Sequence, residues 1–411
     1  MEIILKDNDC VSGGIFDKNA ALRKTGRKGG ICYSNTDFEK LDNESAERQE
    51  KRANANISRG HHSVAGHVSI DLEIVGIPKI MAMLLNNEHD YNTSERSFRY
   101  TDIVTSGISQ LEIEKYEKWC DILSAKIYDY YSQFYTEYAL DGMESKIAKL
   151  AKENSRYMVN VMVPTSMAYK TTWRQFNYLV NYMKQEIEFP SNEIFVALIP
   201  DMEEFVRKAY EMNLVHDGLL DDKKGRHFSL FDDTISGEFF EVSPHDGRVY
   251  NTNYYASFAY LAQAHRHRSL NFGMKLDHEK SNDERFYIPP IIEDDPVLVV
   301  EWLEDMAEVY VLGIHPQGEL VLINENGTLD NFLNSKCKER LCSAAQLEIA
   351  RKTGEQFELY RDELLKMDSP LSAKFDGKKQ PLRCTFDDYE CLDKCNMSFA
   401  LRLERKIWEV S

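Results

Sequence analysis

The sequence predicts an α/β (α+β) protein built as two domains. Three observations carry that expectation. At 411 residues the chain exceeds what one ordinary core organises. Strand-period runs such as VSIDLEIVGI (68–77) are separated by longer runs of helical period. Between 214 and 250 the texture changes to Gly, Asp and Ser without sustained period, which reads as a linker or insertion at a domain boundary. The expected division is therefore 1–213, a linker at 214–250, and 251–411.

In chain order, VSIDLEIVGI alternates apolar and polar residues, as a half-buried strand does, and Pro78 ends it before the helical run KIMAMLLNN. Apolar spacing from 108 to 155 predicts helix. VNVMVP (159–164) reads as a proline-interrupted strand, succeeded by two more helices. Beyond the linker, YYASFAYLAQAHRHR and PVLVVEWLEDMAEVYVLG (296–313) read as helices. ELVLINENGTLDNFL reads as strand, Asn326-Gly327 turn and helix, and a long helix is expected from Lys336 to Met367. Each half offers a helix feeding an Arg- or His-bearing run, then a long helix, a strand and a final helix. That order suggests an internal repeat.

Composition narrows the function classes. A formal net charge of −18 repels a phosphate backbone, so long nucleic acid is not an expected partner. No run approaches the roughly 18 apolar residues of a membrane span, and MEIILKDNDC is too short and charged for a signal peptide. The cysteines suit free thiols in a reducing compartment, and the expected location is cytoplasmic.

Several runs carry more chemistry than a loop requires. SERSFRY (94–100), if extended, turns Glu95, Ser97 and Arg99 to one face, either as a nucleotide-binding edge or as a solvated, salt-bridged strand edge. RHRS (266–269) concentrates Arg266, His267 and Arg268 at a helix end, with Gln263 one turn earlier. An anionic ligand or a solvated basic helix end accounts for it equally. GHHSVAGH (60–67) holds His61, His62 and His67 without a nearby acidic ligand, so structural or cofactor-donor histidines are expected rather than a metal site. Cys384, Cys391 and Cys395 have spacing C-x6-C-x3-C, a weak zinc signal beside ordinary free thiols, and no metal is assigned. G-x-G-x-x-G, P-loop and G-x-S-x-G patterns are missing, so any flavin or nucleotide must be held by side chains.

HHSVAGHVSIDLEIVGIPKIMAMLLNNEHDYNTSERSFRYT resembles the characteristic stretch of the flavin-dependent thymidylate synthases, the ThyX family. There a His-x-Ser/Thr-Pro-Phe-Glu-His segment leads through strand and helix to Arg-His-Arg and then Ser-x-Asn-Glu-x-Ser-x-Arg-Tyr. His61, Ser63 and His67 keep the first part, and Glu95, Ser97, Arg99 and Tyr100 keep the last. Asn87, Glu88 and His89 stand at Arg-His-Arg, and Gly66 stands at the first Glu. ICYS (31–34) looks like the family's first strand end. In the second half LAQAHRHR resembles the helix ending in Arg-His-Arg, and FYIPP (286–290) looks like the segment just after the family's Arg-Tyr. NGTLDNFLNSKCKERLCSAAQLEIA resembles the closing helix, with Arg340 and Gln346 in place. The arginine before the family's Leu-Pro is missing from both halves, with Asn160 nearest in the first.

The resemblance implies two divergent ThyX-like domains, each a twisted, mostly antiparallel sheet flanked by helices, that have lost complementary parts of one site. It implies reductive methylation of dUMP at C5, with FAD as cofactor and methylenetetrahydrofolate and NADPH as co-substrates. A homodimer of tandem chains would then reproduce a tetramer. Arg340 and Ser97 are the expected catalytic positions. Glu95, Ser97, Arg99, Gln263, Arg266 and Arg340 would bind the nucleotide, and His61, Ser63, Arg266, His267 and Arg268 the flavin. A flavoenzyme acting on another pyrimidine nucleotide, or a non-catalytic nucleotide or flavin binder, are the alternatives.

Overall fold

A computed structural model describes residues 1–33, 37–220, 226–243, 249–311, 313–342, 344–378 and 383–392. Among the described residues, ten strands run in the order β1 (Glu2–Leu5), β2 (Val11–Ser12), β3 (Ile15–Phe16), β4 (Ser69–Pro78), β5 (Tyr91–Glu95), β6 (Pro164–Thr172), β7 (Phe239–Val242), β8 (Val249–Ser257), β9 (Asn271–Lys275) and β10 (Leu320–Thr328). β2 and β3 form a small hairpin, and the other eight make two four-stranded sheets, β1-β4-β6-β5 and β7-β8-β10-β9. All their ladders are antiparallel. Taken in chain order, each sheet places its strands first, second, fourth, third.

The likeness extends to single hydrogen bonds. Lys79 N and Ile80 N donate to Val163 O (3.0 Å) and Val161 O (2.8 Å), where β4 passes into its helix. Phe258 N and Ala259 N donate to Glu319 O (3.2 Å) and Gln317 O (3.0 Å) at the matching junction of β8. Val161 N donates to His315 O, and Gln317 N donates to Val159 O, both at 2.8 Å, so one bond becomes the other when the halves are exchanged. Asn160 and Pro316 bridge each other between them. Such reciprocity is the mark of an isologous, two-fold-like packing, here within one chain. Counting on from these pairs sets Asn87, Glu88 and His89 against Arg266, His267 and Arg268, and Asn92 against Asn271.

Local chemistry explains the elements. β4 buries Ile70, Leu72 and Ile74 on one face, which its alternation anticipates. Thr172 and Thr328 end the last strand of each sheet and cap the helix beyond it, accepting from Gln175 N and Asn331 N, each at 3.2 Å. Ser109 and Glu112 form a capping box for the helix Gln110–Ser132. The halves share their cores: Trp119 meets Trp302 edge-on at 4.8 Å, and one buried cluster runs from Ile70 to Tyr360. Among the described residues no helix is long and apolar enough to cross a membrane.

Several expected elements differ. VNVMVP is not a strand; it leads into β6, which begins at Pro164, because Val161 N and Val159 O serve the contact with the other half while Asn160 N is taken by Glu112. The start of YYASFAY belongs to β8, and only Phe258–Ala264 is helical, since Ser257 caps a new helix there. Asn326-Gly327 lies inside β10 rather than in a turn. Gly327 faces the Leu270 and Tyr250 side chains so closely that a Cβ would meet Leu270 at 2.6 Å, so the glycine serves packing. The long helix from Lys336 is broken, with Phe332–Cys337 π-helical, a short turn to Arg340, and a fresh helix from Leu347 to Lys366. Ile31–Tyr33 end a helix, not a strand, and Ser34 lies outside the described residues, as does Cys395. The stretch 214–250 contributes β7 and the start of β8 to the second sheet.

Candidate functional site

Where the halves meet, a cavity of about 150 Å³ is walled by Lys79, Arg96, Ser97, Phe98, Arg99 and Arg156 from the first half. Ala262, Gln263, Arg266 and Arg340 close it from the second. Five guanidiniums and an ammonium therefore line one small space in a chain of net charge −18. Three carboxylates lie close enough to offset them in part, among them Glu339, 3.6 Å from Arg340. Glu95 takes Lys79 Nζ at 2.5 Å and stands 3.6 Å from Arg266, and Glu153 takes Arg99 Nε at 2.8 Å. The remaining positive charge calls for an anion.

β5 stops at Glu95, and Ser97 to Tyr100 turn, with Tyr100 N donating to Ser97 O at 3.0 Å. The expected common face of Glu95, Ser97 and Arg99 is therefore not formed. Ser97 and Arg99 still reach the cavity, while Glu95 lies behind it and orients Lys79 and Arg266. Arg99 is fixed from both halves, by Glu153 and by donation to Ala344 O at 2.6 Å. Burial opposes its charge, but Glu153 more than offsets this and its pKa is raised. Burial lowers the pKa of Lys79 and of Arg156, each against nearby carboxylates.

The second half supplies its groups through a broken helix. The π-helical turn Phe332–Cys337 interrupts the helix after β10, whereas the corresponding helix of the first half, Trp173–Glu188, is continuous. Such a turn adds a residue and redirects the chain beyond it, and Arg340 closes it. Arg340 Nε donates to His267 Nε2 at 2.7 Å and Nη2 donates to Gln263 O at 3.3 Å. Because the guanidinium can only donate, His267 carries its proton on Nδ1, which faces Ser335 Oγ at 3.1 Å. Burial, then Arg340 and Lys336, holds this imidazole well below its usual pKa and hence neutral. Beneath lies a fully buried pair, Lys336 with Glu325 at 2.6 Å, which anchors the turn.

Two buried polar atoms of the wall lack partners, Gln263 Oε1 and Arg156 Nε. Gln263 Nε2 and Arg156 Nη2 both donate to Gln346 Oε1, so Gln346 ties the two walls together. An orphaned acceptor and an orphaned donor beside clustered cations suit a ligand with an amide-like edge and an anionic tail.

The residues expected at a flavin are not gathered here. Of His61, Ser63, Arg266, His267 and Arg268, only Arg266 lines the cavity. His267 is 1% exposed and committed to Arg340, so it supports a wall instead of touching a ligand. Arg268 turns away to Tyr91 O at 2.8 Å and to the Asn92 side chain. Tyr91 and Asn92 line a shallower groove of about 300 Å³ together with Gly66 and His67. His61 and Ser63 are exposed on the 3-10 turn that leads to it, because that turn buries His62 against Tyr178 instead. The set fits a nucleotide in the cavity; for a flavin, only Arg266 is in place there.

Lys79, Phe98, Arg156 and Ala262 escaped the sequence reading, and Arg96 stood in the SERSFRY run without a role. Lys79 had a signal, as the one charge in the apolar run IPKIMAMLL. Arg156 ends an ordinary amphipathic helix and had none. It nonetheless supplies a guanidinium just upstream of Asn160, where the family resemblance lacked one. The described residues contain no cluster of His, Cys, Asp and Glu with metal-site geometry.

Residues 19–187 match the family described as thymidylate synthase complementing protein. No curated protein matches the chain. A crystal structure of Thymidylate Synthase X (ThyX) from Helicobacter pylori with FAD and dUMP aligns at 16% identity over 53% of this chain and 99% of that one, with a TM-score of 0.31. A second, of flavin-dependent thymidylate synthase ThyX from the same organism complexed with FAD and dUMP, aligns at 14% identity over 52% and 93%, with a TM-score of 0.28. Over residues 19–187, the chain is thus similar to the thymidylate synthase complementing protein family.

Proposed function

We propose that the chain performs flavin-dependent thymidylate synthase-type chemistry, the reductive methylation of dUMP at C5, at one composite site drawn from two ThyX-like halves. The halves are 1–213 and 251–411, joined through 214–250, and two chains would complete a four-domain assembly. The observation that carries the reading is the cavity itself. Ser97 and Arg99 of one half face Gln263, Arg266 and Arg340 of the other, although each half lacks its partner's set.

The chain's own groups supply binding and electrostatics. Guanidiniums from both halves hold the phosphate, and Gln263 pairs with the pyrimidine edge. Arg340, fixed by neutral His267, is pre-oriented toward ring oxygens on which charge develops, where a fixed cation in a water-poor cavity is most effective. Methylenetetrahydrofolate would be the one-carbon donor, and FAD, recharged by NADPH, would supply the redox chemistry. The residues lining the cavity include only Arg266 of the set expected at a flavin.

The outward position of His61 and Ser63, with Arg268 engaged elsewhere, favours a second reading, a nucleotide-binding protein without turnover. Purified chain with FAD reduced under anaerobic conditions tests both. The proposal expects flavin oxidation that depends on both dUMP and methylenetetrahydrofolate. Tight dUMP binding without that oxidation would overturn it in favour of the second reading.

A further inference from the structure

Exchange of the halves carries the cavity onto a second position, and there the chain itself is seated. At the counterpart position Lys79 becomes Phe258, Gln263 becomes Leu84, Arg266 becomes Asn87 and Glu95 becomes Met274. Phe258, Leu84 and Met274 are each buried to within 1% exposure. The correspondence is tested by a contact outside the cavity: Arg268 bonds the Asn92 side chain, and its counterpart His89 approaches Asn271 Oδ1 at 3.2 Å, the same contact made in reverse. Charge has thus been reduced at one of two equivalent places, where Lys275 still answers to Arg96 and donates to Asp233 O at 3.2 Å.

Phe228–Asp232 lies against that place. Asn87 Nδ2 donates to Ser229 Oγ at 2.9 Å, and Ser229 N and Oγ donate to Glu88 Oε1 at 2.7 and 2.9 Å. Met274 N donates to Leu230 O at 2.6 Å, and Asp232 N donates to Met274 O at 2.9 Å, so the segment pairs along the free edge of β9. Phe228 packs on Tyr182, at 5.4 Å, from the helix that corresponds to the one leading to Arg340. The segment therefore touches the counterparts of Arg266, Glu95 and the Arg340 helix together.

We propose that Phe228–Asp232 is a built-in occupant of the second, pseudo-symmetric site, leaving one nucleotide site per chain. This rests on the reading of the two halves as copies of one fold, but not on which reaction the open cavity supports. The occupant explains why Glu88 is tolerated where its counterpart, His267, supports a cation. Burial raises the Glu88 pKa, and the two Ser229 donors oppose that, so the carboxylate serves the segment and not a ligand.

The test uses the full chain and dUMP as probe, with calorimetric stoichiometry beside residue-level amide hydrogen exchange. The proposal expects one dUMP per chain. The amides of Ser229, Asp232 and Met274 should be slowed at least ~100-fold without ligand and be unaltered by it, while those of Ser97 and Arg99 slow further on binding. Two equivalents per chain, or slowing of the Phe228–Asp232 amides only when dUMP is present, would overturn it. If dUMP does not bind at all, the functional reading fails instead. The occupant is then judged on ligand-free exchange alone, and rapid exchange at Ser229 and Asp232 refutes it.

Discussion

Replacing Arg156 by Met should strengthen the fold and weaken ligand binding at once. Arg156 is 5% exposed; its Nε has no partner, and its Nη2 shares Gln346 Oε1 with Gln263. Removing it leaves Gln346 Oε1 still paired, so no new orphan is created. Replacing buried charged groups by apolar side chains of similar volume is neutral to stabilising, by up to about 4 kcal/mol, when no partner charge is left stranded. Since the nearby carboxylates Glu153 and Glu348 favour the charge, the lower end, about 1–2 kcal/mol, is expected for Arg156→Met. In the liganded state the same guanidinium would make at least one charge-assisted hydrogen bond, worth about 1.5–3 kcal/mol. dUMP affinity should therefore fall about 10- to 100-fold. Urea unfolding of the ligand-free chain and calorimetric titration with dUMP measure the two effects separately. A variant that loses stability while keeping its affinity would show that Arg156 is a structural residue, and the electrostatic reading of the cavity would be refuted.

Three further outcomes are expected from the same geometry. Arg340→Lys keeps a charge but loses the Nε donor to His267, so dUMP binding should weaken by about 1.5–3 kcal/mol in a titration. Glu325→Gln strands the buried Lys336 ammonium and should cost about 3–5 kcal/mol in denaturant unfolding, most of it recovered when Lys336→Met is added. His265 is buried with both ring nitrogens unpartnered, and burial, with Lys79 and Arg266 beside it, lowers its pKa to about 3 from 6.5. The unfolded chain takes up a proton that the folded chain refuses, so this residue's contribution to stability falls as pH drops below 6.5, by about 1.4 kcal/mol per unit. His265→Asn, the residue its counterpart Asn86 already is, should flatten the stability–pH curve between about pH 6 and 4 by that slope.

Much of the candidate site was legible because its chemistry is dense in sequence. SERSFRY and QAHRHR each crowd charged side chains, and the fold brings Ser97, Arg99, Gln263, Arg266 and Arg340 to one cavity. Roles inside those runs were less legible, since direction depends on packing. His267 and Arg268 come directly after Arg266, yet one is buried as a support and the other turns outward to Asn92. His61 and Ser63 failed as cavity residues because the 3-10 turn buries their neighbours His62 and Val64. In the fold, β4 and its helix were readable from period alone. Asn326-Gly327 misled because glycine there serves close packing, and the break after Arg340 carried no proline or glycine to announce it.

The central claim is that two incomplete halves make one site, and a crystal structure of the full chain with dUMP tests it most directly. The account predicts one nucleotide per chain in the shared cavity, its phosphate held by guanidiniums of both halves and its base edge on Gln263. A nucleotide held by residues of one half alone, or bound away from Arg99 and Arg340, would contradict it.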